Sequence, residues 1–148
     1  MIKIKPRARH KARRFALQAL YQWQLSGNDL NAIEQQFLER EDVDLTKVDM
    51  PYFQELIHRI PASIDVLDAA FQSFLDRPLD EIGAVELAIL RIGSYELQEH
   101  PEIPYRVILN EAIELAKAFG AEDSHKYVNA ILNGASLSIR ASERDEQK

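Results

Sequence analysis

The sequence predicts an all-α protein made of two small helical bundles, and three observations support this. Apolar residues recur at helical spacing through most of the 148 residues. No segment alternates apolar and polar residues as a half-buried strand does. The six to seven helical segments are separated by short breaks, several of them containing Gly or Pro. We expect the two bundles to pack together as a single domain over residues 1–148.

The first bundle, taken as residues 1–77, is predicted to contain three helices. They cover residues 6–26, 29–39 and 49–74, with an acidic loop between the second and the third. Pro61 lies inside the third helix, where a proline removes one backbone donor and clashes with the preceding turn. Because the apolar spacing continues across it, we expect one long kinked helix rather than two helices.

The second bundle, taken as residues 78–141, is predicted to contain helices at residues 83–99 and 105–119 and a last one from about residue 122. Residues 142–148 are charged and are expected to form a frayed tail. The 83–99 helix is apolar on more than one face. It therefore either lies at the centre of a core or shares its surface between a core and a protein partner.

Positive charge is concentrated at the N-terminus. Seven of the 18 basic residues and none of the 24 acidic residues lie in positions 1–14, although the formal net charge of the chain is −6. A basic arm on an acidic protein indicates a local site for a polyanion. Two other interpretations are an arm that only aids solubility and a basic helix lying on an anionic membrane. The Ala-rich apolar face of the first helix favours packing on protein.

Several kinds of chemistry have no signal in this sequence. There is no cysteine, no glycine-rich phosphate loop, and no HExxH or GxSxG motif. The four histidines are scattered, and adjacent acids are better explained as helix starts. We therefore expect no catalytic activity, no metal and no cofactor. No apolar run is long enough to span a bilayer, so we expect a cytoplasmic protein without membrane association.

Three segments together resemble one family. They are RARHKARRFALQALYQWQL near the N-terminus, ELAILRIGSYEL in the centre, and NEAIELAKAFGAEDSHKYVNAILN near the C-terminus. The resemblance, over about residues 5–140, is to the NusB family of bacterial transcription antitermination factors. It implies binding to the boxA element of nascent ribosomal RNA leaders together with NusE, a small-subunit ribosomal protein. It also implies action on RNA polymerase with other Nus factors.

The resemblance places RNA-binding residues in two regions. The first region lies on the basic arm and the helix that follows it, at Arg7, Arg9, Lys11, Arg13, Arg14, Gln18, Tyr21 and Gln24. The second lies at the start of the last helix, at Asp123, His125, Lys126 and Tyr127. Single-stranded RNA is bound by aromatic stacking and by cations on its phosphates, which suits both regions. From the residues alone, Tyr127 could equally be a half-buried core residue.

The protein partner is expected on the 83–99 helix, whose apolar residues exceed one core face. We assign Glu86, Arg91 and Tyr95 to this surface. The sequence leaves both a monomer and a homodimer open for the free protein.

Two alternative functions remain at this point. One is a stand-alone RNA-binding module related to the N-terminal domain of ribosomal RNA methyltransferases. The other is a DNA-binding helical regulator, which would place base-reading residues on the second helix of a helix-turn-helix. The basic residues here lie on the first helix and its arm, which argues against DNA.

Overall fold

The computed structural model describes residues 5–146, which fold into eight α-helices with no β-strand among them. This confirms the predicted all-α class. Residues 1–4 of the basic arm and residues 147–148 of the tail lie outside the described part. The chain divides into two compact units, Met1–Ala62 and Ser63–Lys148, which we call unit 1 and unit 2.

Unit 1 contains three helices: α1 (Pro6–Ser26), α2 (Leu30–Leu38) and α3 (Met50–Ala62). Pro6 occupies the first turn of α1, where its missing N–H costs nothing. Gly27 ends α1 with φ of 68°, and its N–H donates to the carbonyl of Trp23 at 2.8 Å. Only glycine adopts that left-handed conformation without strain, so this stop is encoded locally.

The core of unit 1 forms where α1 packs against α2 and α3. The small residues Ala12, Ala16 and Ala19 are fully buried on α1 and allow the helices to approach closely. Phe37 of α2 contacts Phe53 of α3, with ring centroids 5.5 Å apart. A short 3₁₀ turn, Leu45–Lys47, lies in the connection between α2 and α3.

Unit 2 contains five helices. They are α4 (Ile64–Gln72), α5 (Ala84–Glu99), α6 (Tyr105–Phe119), α7 (Ser124–Ile139) and α8 (Ala141–Glu146). The central element is α5, which packs against α4, α6 and α7, and every residue from Ala88 to Leu97 is buried. The sequence left open whether this helix lies at the centre of a core or is shared with a partner. In the structure it lies at the centre of the core of unit 2.

The expected kink at Pro61 is wrong. The structure has two helices, α3 and α4, with Ser63 in a non-helical conformation between them (φ −118°, ψ 22°). Pro61 has no N–H to donate within the last turn of α3, so the helix ends one residue later.

The predicted boundary after Arg77 also differs from the observed division. The units separate between Ala62 and Ser63, because α4 packs on α5 and α7 and so belongs to unit 2.

The expected frayed tail is wrong for the described residues, because residues 141–146 form α8. Three contacts hold this helix in place. The backbone N–H of Tyr105 donates to Glu143 Oε2 at 2.9 Å, and Arg144 Nη1 donates to Asn133 and Ser136, both at 2.9 Å. These partners lie 8 to 38 residues away, so the charged composition of the segment alone could not predict them.

Candidate nucleic-acid interface

The basic residues of α1 form two groups, set by their positions around the helix. Arg7 is exposed, and Lys11 and Arg14 are half-buried. Gln18 and Tyr21 continue the same i, i+3, i+4 spacing, and Tyr21 keeps 40% of its surface exposed. We call these five residues the α1 face. They present cations, an amide and an aromatic ring in one row along the helix.

The helix electrostatics also favour an anion at this end of α1. The first turn contains no acidic residue, and the N-cap Lys5 makes no capping hydrogen bond with its side chain. The N-terminal end of a helix carries partial positive charge from its unpaired N–H groups. Basic side chains raise the local potential further, so a phosphate is the natural counter-ion here.

Arg9 and Arg13 form the second group, and they point toward α3. The guanidinium carbon of Arg9 lies 4.0 Å from the centroid of the Tyr52 ring, and its Nε lies 3.5 Å from Asp49 Oδ2. Arg13 is only 3% exposed, with its guanidinium carbon 5.6 Å from the same ring.

The assignment of Arg13 to the RNA surface is therefore corrected, because its side chain is packed inside unit 1. Arg9 likewise contacts Tyr52 of α3 and Asp49, the residue before α3. Sequence spacing contained the signal: Arg9 and Arg13 lie four residues apart and each adjoins the buried face that includes Ala12 and Ala16. A motif read as a run of charges hides this difference.

Gln18 and Gln24 complete the first predicted region. Gln18 donates from Nε2 to the carbonyl of Arg14 at 3.3 Å, which keeps its amide beside the α1 face. Gln24 is half-buried in the last turn of α1. The connection between α2 and α3 adds Arg40 and Lys47 beside Lys11 and Arg14, where they line one groove. Sequence analysis missed both, although they are basic residues in an otherwise acidic loop.

The second predicted region begins α7 in unit 2. Tyr127 is half-buried, its hydroxyl donates to Asp76 Oδ1 at 3.3 Å, and the guanidinium carbon of Arg77 lies 4.8 Å from its ring centroid. Burial is the largest cause that raises the pKa of Tyr127, so the phenol is neutral at physiological pH. The ring thus already contacts one cation while keeping part of its surface accessible.

The neighbours of Tyr127 define an open pocket. Lys126 and Asp123 are exposed, with Nζ and Oδ1 3.5 Å apart, and His125 is half-buried. The Arg77 side chain, through its hydrogen bond, lowers the pKa of Asp76. The lining side chains and backbone come from residues Arg77, Ile82, Gly83, Glu86, Ala121, Asp123, Ser124 and Tyr127. In the sequence, nothing marked Arg77 as a candidate binding residue, and its one notable feature was the proline that follows it.

The predicted protein-partner site on α5 is wrong for two of its three residues. Arg91 is 8% exposed and is held by Asp68 through two hydrogen bonds of 2.9 Å, and Tyr95 is 1% exposed. Both belong to the core of unit 2. Glu86 alone is half-buried, and it accepts a hydrogen bond from the Ser124 hydroxyl at the edge of the Tyr127 pocket.

Between residues 5 and 146 no group of three or more His, Cys, Asp or Glu side chains is arranged to hold a metal ion. In the same range no helix is both long enough and apolar enough to cross a membrane.

Over residues 5–146 the chain is built from α-helices, with cations and aromatic rings on accessible helix faces. The NusB family model matches residues 10–136 of the chain. This chain is a member of the NusB family.

Curated relatives agree with this assignment over nearly the whole chain. The transcription antitermination protein NusB of Alcanivorax borkumensis is 50% identical over 143 residues, which are 97% of this chain and 94% of that protein. The protein of the same name from Nitrosococcus oceani is 53% identical over 135 residues, 91% and 89% of the two chains.

Solved structures have the same fold. NusB of T. maritima superposes with a TM-score of 0.74 at 28% identity, covering 90% of this chain and 92% of that one. A structure titled as antitermination factors NusB and NusE in complex with dsRNA gives a TM-score of 0.76 at 22% identity, covering 90% and 99%. The second likeness is evidence for the fold alone.

Proposed function

We propose that this chain is a transcription antitermination factor that binds the boxA element of nascent ribosomal RNA leaders together with NusE. In this role it joins RNA polymerase and other Nus factors. It acts by binding and carries out no catalytic step. Membership of the NusB family supports the role, and the α1 face is the observation that carries the RNA-binding part.

The α1 face suits an unpaired RNA strand. Arg7, Lys11 and Arg14 are spaced about one helical turn apart and supply charge for successive phosphates. Tyr21 offers an exposed ring on which a base can stack. Tyr127 and Lys126 supply the same pair of groups on unit 2.

NusE is the protein partner that the family resemblance implies. With Arg91 and Tyr95 in the core, Glu86 is the one residue of the original assignment that remains in the proposal. Binding of NusE and RNA should be linked, so that each raises the affinity of the other by the same factor.

Fluorescence anisotropy with a labelled single-stranded boxA RNA tests the proposal, with a scrambled RNA and duplex DNA of the boxA sequence as competitors. We expect the boxA strand to bind more tightly than either competitor, and more tightly still when NusE is present. Equal affinity for all three nucleic acids, with no effect of NusE, would contradict the proposed function.

A further inference from the structure

A groove in unit 1 lies between α1 and the connection from α2 to α3, with a volume of about 440 Å³. One wall is formed by Lys11, Arg14 and Gln18, which belong to the α1 face. The other wall is formed by residues 40–48. The groove therefore continues directly from the surface to which the proposed function assigns RNA.

The groove contains more positive than negative charge. Four cations line it, Lys11, Arg14, Arg40 and Lys47, against the two carboxylates of Asp42 and Asp44. Both carboxylates are already engaged by neighbouring groups within the loop. Asp42 accepts two hydrogen bonds from Arg40, and Asp44 accepts from the hydroxyl and the backbone N–H of Thr46.

Lys11 and Lys47 approach the same carboxylate from opposite walls. The pKa of Asp44 is lowered first by the Thr46 hydroxyl and N–H, and then by the charges of Lys47 and Lys11. Lys11 and Lys47 thus stand on opposite walls of the groove, both within electrostatic range of Asp44. A phosphate entering the groove would be attracted by both cations.

Asp42 holds one edge of the Arg40 guanidinium group, and this in-plane contact does not cover the plane of the group. Its Nε and Nη2 donate to Asp42 at 3.0 and 2.8 Å, which uses the edge of the group. The guanidinium carbon lies 5.6 Å from the Phe15 ring centroid and 5.7 Å from that of Phe37. Nucleic-acid bases stack on arginine planes as they do on aromatic rings.

We infer that this groove is a nucleotide subsite for the RNA strand that runs along the α1 face. One base stacks on the Arg40 guanidinium plane, and the adjoining phosphate lies between Lys11 and Lys47. An acidic peptide fits less well, because Asp42 already takes one bidentate edge of Arg40 and a peptide carboxylate offers no ring to stack on the guanidinium plane. This inference rests on the proposed function and names two residues that it does not include.

The test uses the full chain and a labelled single-stranded boxA RNA, in which each nucleotide in turn is replaced by an abasic one. In the unchanged protein, one abasic position should lower affinity about five-fold or more, the effect of losing one stacked base. In Arg40→Lys, which keeps the charge and removes the plane, the same abasic position should have no further effect. Lys47→Gln should reduce the slope of log K against log salt by about 0.7, the value for one phosphate of a single strand.

Arg59→Gln is the matched control, because Arg59 is also an exposed cation of unit 1 and lies outside the groove. It should leave affinity and slope unchanged. Melting temperatures of all variants establish that they are folded. Lys47 is exposed, so Lys47→Gln carries the test if Arg40→Lys is unstable.

Two results would overturn the inference in distinguishable ways. If Arg40→Lys and Lys47→Gln keep the affinity, slope and abasic profile of the unchanged protein, while Arg7→Gln with Arg14→Gln loses RNA, the groove is not a subsite and the proposed function stands. If the unchanged protein binds no RNA, with or without NusE, the proposed function fails and the subsite fails with it.

Discussion

The arginines of the basic segment have different roles, which depend on the direction in which α1 orients each side chain. Tyr52 receives Arg9 at 4.0 Å and Arg13 at 5.6 Å, so one aromatic ring holds two guanidinium groups. A cation over an aromatic ring is worth about 0.5–2 kcal/mol, more when water is excluded. These two arginines therefore stabilise unit 1, whereas Arg7 and Arg14 remain accessible.

Arg13 and Arg14 are adjacent and should respond differently to substitution. Arg13→Ala removes a buried side chain from unit 1 and should lower the free energy of unfolding by about 1–3 kcal/mol. Arg14→Ala should change stability by less than about 0.5 kcal/mol and weaken RNA binding instead. Urea unfolding and RNA titration on both variants measure this. Equal stability of the two variants would contradict the role given to Arg13.

The ring of Tyr127 should contribute directly to RNA binding. Tyr127→Ala should weaken RNA binding about five-fold or more, because the ring that can stack on a base is lost. Tyr127→Phe should bind nearly as well, since it loses only the 3.3 Å hydrogen bond to Asp76. Affinity and melting temperature are measured together on both variants. Unchanged RNA affinity of a folded Tyr127→Ala protein would restrict the RNA to unit 1.

The limits of sequence analysis are clearest for individual side chains. Spacing located α1 and its stop at Gly27, because proline and glycine rules act over a few residues. The difference between Arg13 and Arg14 was also present in the spacing, but treating the charged residues as one run concealed it. Spacing could not show that Arg91 meets Asp68, because 23 residues separate them in the chain and only the packing of α4 on α5 brings them together.

At the scale of the elements, the contact of α4 with α5 is fixed by a buried ion pair. Asp68 and Arg91 bind each other edge to edge, and the Ser94 hydroxyl donates to the carbonyl of Leu67 at 3.1 Å. A charge left alone in such a place is costly, while exchanging both charges for apolar groups is often neutral. An arrangement of α4 and α5 that separated these two charges would therefore be costly.

Substitutions at this pair should be strongly non-additive. Arg91→Met alone should destabilise unit 2 by about 3–5 kcal/mol, because Asp68 is left buried without its partner. The double variant Arg91→Met with Asp68→Leu should recover most of that loss. A double-mutant cycle by chemical denaturation measures the coupling. Additive effects would mean that the pair is not formed in solution.

The attachment of α8 should depend on pH through Glu143. Burial tends to raise the pKa of this carboxyl, but the Tyr105 N–H and Arg140 outweigh it, and the pKa lies below its ordinary value of 4.5. A carboxyl with a lowered pKa in the folded state adds stability above its unfolded pKa. That stability is lost as the pH falls through the folded value.

The measurement compares the unchanged protein with Glu143→Gln, which cannot ionise. The melting temperature of the unchanged protein should be higher at pH 7, and the difference should shrink as the pH falls below about 4.5 toward the lowered pKa. Glu114→Gln is a suitable control, since Glu114 is an exposed acid of the same unit. A difference that stays constant with pH would contradict the role of the Glu143 charge.

At the scale of the whole molecule, the protein is acidic overall, and the proposed RNA site is a local basic patch. The net charge is −6, so the body of the protein does not attract RNA as a whole. The family assignment could be made from sequence because its motifs extend over most of the chain. The surface proposed for NusE could not be located in this way, since burial of α5 depends on how the other helices of unit 2 cover it.

The salt dependence of RNA affinity should reflect the basic residues of the α1 face. Arg7→Gln with Arg14→Gln removes two phosphate contacts and should reduce the slope of log K against log salt by about 1.4. Lys117→Gln, at an exposed cation of α6, should leave the slope unchanged. Titrations at four or five salt concentrations are sufficient. If the slope falls equally in the double variant and in Lys117→Gln, general charge attracts the RNA and there is no defined site.

Arg140 has a consequence for the order in which unit 2 forms during translation. Its guanidinium group donates to the carbonyls of Glu96, Leu97, His100 and Ile103, which lie 37 to 44 residues earlier in the chain. At about 5–20 residues per second, the ribosome takes roughly 2–9 s to add the intervening residues. Throughout that interval the end of α5 lacks its closing donor, so these carbonyls gain their final partner only when the last residues of unit 2 have been made.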